Sequence, residues 1–230
     1  VRFFYFILLA VFPTQLIFAQ EKRIKIAVID TGIVFNEQTK PYLCNGDHYD
    51  LTGTGLEDTQ EHGTNVAGII AEKINPKTHC LLIIKFHHPG QNTFSQSLQG
   101  FKIAIKENVK YINYSSSGPV ESKRSRDKER SIIQTALDRK IYVVTSAGND
   151  DMELSSRACV IFPACYQFNS PFFRVVGNGW SNETRHESSN YGTMVTDWRR
   201  GVRIKGLFGV KATGTSQSAA ILTSELAGKK

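Results

Sequence analysis

Four residues of this 230-residue chain stand where chemistry could be done. Asp30 follows the apolar run "IAVI", His62 sits in "EHGTNVAG", Asn149 in "SAGND" and Ser216 in "ATGTSQSAA". Taken singly, each has a plain structural explanation. A serine ahead of a helix is usually an N-cap. An aspartate in "DTG" is a turn residue, His62 a helix-start residue and Asn149 a loop asparagine. Ser216 has a second reading, a nucleophile held at the positive end of a helix, behind a glycine, Gly214, that lets the backbone turn sharply. An acid, an imidazole, an amide and a hydroxyl, each among small residues at the end of an element, make the plain explanations fail together.

The elements that must position them alternate. "RIKIAVID", "CLLIIKF", "KYINYS", "IYVVTSAGN" and "FFRVVGN" read as strands. "HGTNVAGIIAEKI", "SQSLQGFKIAIKENV", "RSIIQTALDRK" and "SQSAAILTSELAG" read as helices, the second with Leu98, Phe101, Ile105 and Val109 on its apolar side. Continuous apolar strands alternating with amphipathic helices predict an α/β fold of three layers, a mostly parallel sheet with helices on both faces. In such sheets binding sites form beyond the carboxyl ends of the strands. Asp30, the segment Ser115-Ser116-Ser117-Gly118 and the segment Ala147-Gly148-Asn149 all follow strands, and His62 and Ser216 open helices. They should gather at one rim.

Composition bounds the rest. Hydrophobic residues make up 40% and charged residues 21%, an ordinary globular balance. Residues 1–19 carry Arg2, an apolar stretch and a small Ala19, and read as a secretory signal cleaved after Ala19. Pro13 interrupts that stretch and argues against a stable membrane span. Residues 20–230 are then one catalytic domain, secreted or periplasmic. The net charge is +7, one unit of it from Arg2. The one dense basic cluster, "ESKRSRDKER", also carries acids and reads as a solvated loop leading into a helix. No basic stripe interleaved with aromatics marks a nucleic-acid partner. Cys44, Cys80, Cys159 and Cys165 contain no C-x-x-C pair, so zinc is not indicated. They allow three disulfide connectivities, among them a local Cys159–Cys165 bridge with Cys44–Cys80 as the remaining pair.

"AVIDTGI", "HGTNVAGI", "SAGN" and "GTSQSAA", in that order, resemble the four signature blocks of the subtilisin-like serine proteases, the subtilase family. "YINYSSSGP" is similar to the family's substrate-binding strand, and "FPACY" to the segment near its specificity pocket. The resemblance covers nearly all of the chain after the signal. It implies a serine endopeptidase with Asp30, His62 and Ser216 as catalytic residues. His62 would be the general base and then the general acid, and Asp30 would orient it. Asn149 would donate to the oxyanion together with the backbone N–H of Ser216. Ser115, Ser116, Ser117, Gly118, Ala147 and Gly148 would bind a peptide or protein substrate. No cofactor is implied.

The chain also departs from the family pattern. Ala220 and Ile221 stand where a proline and a histidine-like residue usually follow the nucleophile. Gln217 replaces a frequent methionine. Ser117 takes a glycine's place and narrows the pocket floor, an expectation against bulky side chains just before the scissile bond. The few residues between Gln20 and the first strand leave no room for a recognisable pro-segment, and the chain stops at Lys230, soon after the nucleophile helix. The segment "AEKINPKTHCLL" lacks the acidic loop that holds calcium in many relatives, so no metal is expected. Two other readings stay open on the same residues: a transpeptidase or dedicated peptide-processing enzyme, and a catalytically silent peptide-binding homologue.

Overall fold

Five apolar runs form the strands of the central sheet. They are β1 (Ile24–Asp30), β3 (His79–Lys85), β4 (Tyr111–Tyr114), β6 (Tyr142–Ser146) and β8 (Phe173–Asn178); short strands β2 (Tyr49–Asp50) and β9 (Asp197–Arg199) close its edges. The computed structural model describes residues 22–46, 48–120, 122–155 and 159–228. The signal expected over residues 1–19 lies outside them. Every strand pair of the seven-stranded sheet is parallel, and the order is β2-β3-β1-β4-β6-β8-β9. A separate antiparallel ribbon pairs β5 (Gly118–Pro119) with β7 (Ile161–Phe162). The helices are α1 (His62–Ala71), α2 (Phe94–Lys106), α3 (Lys123–Asp138) and α4 (Thr215–Gly228).

Successive strand residues point to opposite faces, and β1 shows the consequence. Ile26 and Val28 pack in a core with Val66, Ile69 and Ile70 of α1 and Ala220 of α4. Ala27 and Ile29 pack in the other core with Phe101 and Ala104 of α2 and Ile133 of α3. Two cores on two faces of a sheet buried on both sides are the expected three layers. On α1 the approach is close: a side chain at Gly68 would meet the carbonyl oxygen of Phe208 at 2.2 Å. The disulfides are Cys44–Cys80 and Cys159–Cys165, one of the three connectivities left open by sequence.

Two elements differ from the sequence reading. The basic run expected as a loop is the beginning of α3, because the Ser122 hydroxyl accepts the Ser125 N–H at 3.0 Å and caps the helix there. Leu98, expected on the core side of α2 with Phe101, is only half-buried, while Phe101 is fully buried.

The sheet order places the site. From β1 the chain crosses to β3 on one side, and from β3 to β4 on the other. The order therefore reverses between β1 and β4, and crevices for ligands open at such switch points, beyond the carboxyl ends of the strands. Asp30 ends β1 there and Ser115 follows β4.

Candidate active site

Asp30 is buried, 4% exposed, and its Oδ1 meets Nδ1 of His62 at 2.7 Å. The same oxygen accepts the Thr31 N–H at 2.8 Å. His62 opens α1, and a second buried carboxylate holds that helix start in place. Asp58 Oδ2 accepts the backbone N–H and the hydroxyl of Thr64, while its Oδ1 accepts the Thr31 hydroxyl and the Gln60 N–H. A negative group at a helix N-terminus also suits the helix dipole. Gly63 lies so near the preceding loop that a side chain would meet the Gly32 carbonyl oxygen at 2.5 Å. The charge of Asp30 raises His62 from 6.5 to about 9; burial opposes this, and the hydrogen bond to Asp30 and the charge of Asp58 add to it.

Ser216, in the first turn of α4, is 8% exposed. Its hydroxyl donates to the Ser115 carbonyl at 3.2 Å, and the Ser115 hydroxyl donates back to the Ser216 carbonyl at 3.1 Å. Asn113 Nδ2 donates to the Ser115 hydroxyl, and Thr223 donates to Asn113 Oδ1, both at 2.8 Å. Thus β4 and α4 are tied together directly beneath Ser216. Asp30, His62, Ser115 and Ser116 line one cleft of about 300 Å³, whose wall includes Gln60 and His87, 3.2 Å apart. Burial lowers His87 below the usual histidine value, and the charge of His62 adds to this.

Asn149 is exposed at the same rim. Its Oδ1 accepts both the N–H and the hydroxyl of Thr215, at 3.0 and 3.2 Å. Two donors facing one amide atom identify it as the oxygen, which turns the amide nitrogen the other way. Among the described residues, neither that Nδ2 nor the backbone N–H of Ser216 has a hydrogen-bond partner. Gly148 has φ +99°, and a side chain there would collide with Asn190 Nδ2 at 2.3 Å and stand 3.3 Å from the Ser117 hydroxyl. Ala147 is buried, and its carbonyl accepts from Asn190 Nδ2. Ser116, Ser117 and Gly118 are half-buried, and Gly118 pairs with Phe162 in the β5–β7 ribbon.

The structure thus brings Asp30 and His62 into contact, and ties Ser216 to Ser115 at the edge of their cleft. It does not bond the Ser216 hydroxyl to the imidazole. Sequence reasoning passed over Asp58, Asn113, Thr215 and Asn190. Only Asp58, an acid shortly before a helix start, carries a readable signal. Gln217 is buried and donates to Asn65 Oδ1 at 2.8 Å, so this polar residue joins α4 to α1. Among the described residues, no three or more histidine, cysteine, aspartate or glutamate side chains gather so as to hold a metal ion. The Asn75 side chain, after α1, is spent on its own turn, accepting the Lys77 N–H. The residues there do not fit a calcium site.

A family model described as the subtilase family matches residues 21–228. Subtilisin NAT from Bacillus subtilis subsp. natto is 26% identical over 213 residues, covering 89% of this chain and 54% of the relative. Subtilisin-like protease 2 from Arthroderma otae is 29% identical over 220 residues, covering 87% and 47%. The chain spans about half the length of these curated relatives. Similar solved structures include a lanthipeptide protease (TM-score 0.74, 16% identity, 90% of this chain and 74% of that one) and a cold-adapted subtilisin-like serine proteinase (0.71, 24%, 89% and 74%). The nisin leader peptidase NisP from Lactococcus lactis superposes with a TM-score of 0.71 at 15% identity, covering 91% and 78%. At such identities the superpositions speak for the fold, and it is the family match over nearly the whole described chain that decides: this chain belongs to the subtilase family.

Proposed function

We propose that the chain is a serine endopeptidase that cleaves peptides through an acyl-enzyme on Ser216. The observation that carries this reading is the 2.7 Å contact between buried Asp30 and His62, in a cleft whose Ser115 carbonyl holds the Ser216 hydroxyl. In the reaction, Ser216 Oγ bonds to the substrate carbonyl carbon as its proton passes to His62 Nε2. The carbonyl oxygen becomes an oxyanion, met by Asn149 Nδ2 and the Ser216 N–H, the two donors left idle in the resting structure. His62 then protonates the leaving amine, and water, activated in the same way, frees the acid product. Asp30 holds the imidazole and its charge.

The substrate segment would run along Ser115–Gly118 and Ala147–Gly148. Ser117, packed toward Gly148, favours small side chains just before the cut bond. The paired cysteines fit a compartment outside the reducing cytoplasm. Processing of one dedicated peptide is a second reading, supported by the printed names of the lanthipeptide and nisin leader proteases among the structural relatives. A peptide library incubated with the parent and with Ser216→Ala tests both. We expect cleavage by the parent alone, after small residues. Cleavage of one sequence motif only favours the processing reading, and turnover by Ser216→Ala would overturn the assignment. No turnover by the parent on any peptide would favour a silent peptide-binding homologue.

A further inference from the structure

The basic run at the start of α3 takes no part in the chemistry above. Its first turn holds Lys123 and Arg124 and no acid. Cations at a helix N-terminus oppose the helix dipole, so this arrangement costs stability unless an anion offsets it. Across from it, α2 contributes Lys102. Between the two helices lies a groove of about 960 Å³, walled by Lys102, Lys123, Arg124 and Lys128 and by the apolar Leu98 and Ile132. Its one carboxylate, Asp127, is taken by Lys123 at 2.6 Å. Lys102, Arg124 and Lys128 are exposed and have no acidic partner among the described residues. The half-burial of Leu98 now has a place: it lines this groove instead of the core.

The groove also lies next to the candidate substrate path. A second depression, lined by Phe94, Pro119, Val120, Ser122 and Ser125 among others, adjoins it through Phe94–Ser95 and Ser122–Lys123. Pro119 in turn follows Gly118 of β5. We propose that the α2–α3 groove is an exosite that holds an acidic, partly apolar segment of the peptide substrate, away from the bond to be cut. Carboxylates would pair with Lys102, Arg124 and Lys128, and aliphatic side chains would cover Leu98 and Ile132. The apolar pair, and the lack of an aromatic platform in the groove, favour a peptide over a nucleic acid of the same charge. This proposal rests on the peptidase reading.

Two measurements separate the failures. Fluorescence anisotropy with a labelled peptide of alternating glutamate and leucine needs no turnover. It should show binding to the parent, and weaker binding to the folded triple variant Lys102→Glu/Arg124→Glu/Lys128→Glu. The second measurement is the ratio of kcat/KM for a cleaved peptide with and without an acidic, leucine-containing extension. We expect roughly tenfold in the parent, what three exposed ion pairs supply, and a ratio near one in the variant. Equal kcat/KM for both substrates, with no anisotropy change, overturns the exosite and leaves the peptidase reading standing. Binding without cleavage of either substrate overturns the peptidase reading, not the class of ligand. An oligonucleotide of equal charge binding as tightly as the peptide would also overturn the proposal.

Discussion

Asp30 and His62 meet at 2.7 Å, whereas the Ser216 hydroxyl turns to the Ser115 carbonyl at 3.2 Å. One half of the site is closed and the other is open. An imidazole held near 9 by Asp30 and Asp58 is cationic at neutral pH, with an N–H where a base needs a lone pair. Because the folded value lies above the ordinary 6.5, the His62–Asp30 ion pair contributes its full stability below about 6.5 and loses it as pH rises through about 9. In the proposed reaction the same loss of a proton would create the base that Ser216 requires. In this account the two halves are joined by one proton.

The largest effect should come from breaking the closed half. Asp30→Asn leaves the shape but removes the charge that orients and supports the imidazole. We expect kcat to fall by about 10⁴-fold, a scale taken from other Asp-His-Ser triads, with the pH profile moved to lower pH. An unmoved profile would separate Asp30 from His62. Next comes the open half. Asn149→Leu removes the idle donor and should lower kcat by about 10²–10³-fold, the scale known from subtilisin itself, with KM and Tm nearly unchanged. A fall in Tm with kcat per active site intact would make Asn149 a loop residue only.

How much of this was readable in the sequence follows from burial. The strands β1, β3, β4, β6 and β8 are buried on both faces and so appear as unbroken apolar runs, which is why the sheet was legible. The strands β2, β5, β7 and β9 have two or three residues and no period to detect. Asp30, His62, Asn149 and Ser216 were legible as candidates because small residues surround them at element ends. Asp58 was legible only as an acid shortly before a helix start; its burial and its bond to the Thr64 N–H appear only on folding. The start of α3 was hidden by its charges, and only the Ser122 cap reveals it. The Ser216–Ser115 exchange depends on two elements meeting, which no local pattern encodes.

The two disulfides sharpen the contrast between the halves through stability. Cys44–Cys80 anchors β3, the neighbour of β1, across a separation of 36 residues; Cys159–Cys165 spans only 6, beside the ribbon strand that pairs with Gly118. Loop-closure entropy predicts a loss of about 4 kcal/mol for Cys44→Ala/Cys80→Ala and about 2 kcal/mol for Cys159→Ala/Cys165→Ala. Urea unfolding checks the order, and the second variant alone should raise KM. A smaller effect comes from Glu129 on the inner side of α3, which burial pushes up to about 7 despite the Tyr166 hydroxyl bonded to it at 2.9 Å. Between its ordinary 4.5 and about 7 the folded state holds the extra proton, so stability falls as pH rises through that window. Glu129→Gln should therefore gain on the order of 1–3 kcal/mol at pH 8 and nothing at pH 4. An equal gain at both values would remove the titration of Glu129 from the account.

The proton that joins the two halves can be followed directly. A fluorophosphonate reacts preferentially with an activated serine, and mass spectrometry of the labelled protein locates the adduct while its rate is read against pH. The account predicts a single adduct on Ser216, forming at a rate that climbs with pH through an apparent pKa of about 9, the value at which His62 becomes a base. An adduct on another residue, no adduct at any pH, or a rate already level below pH 7 would contradict it.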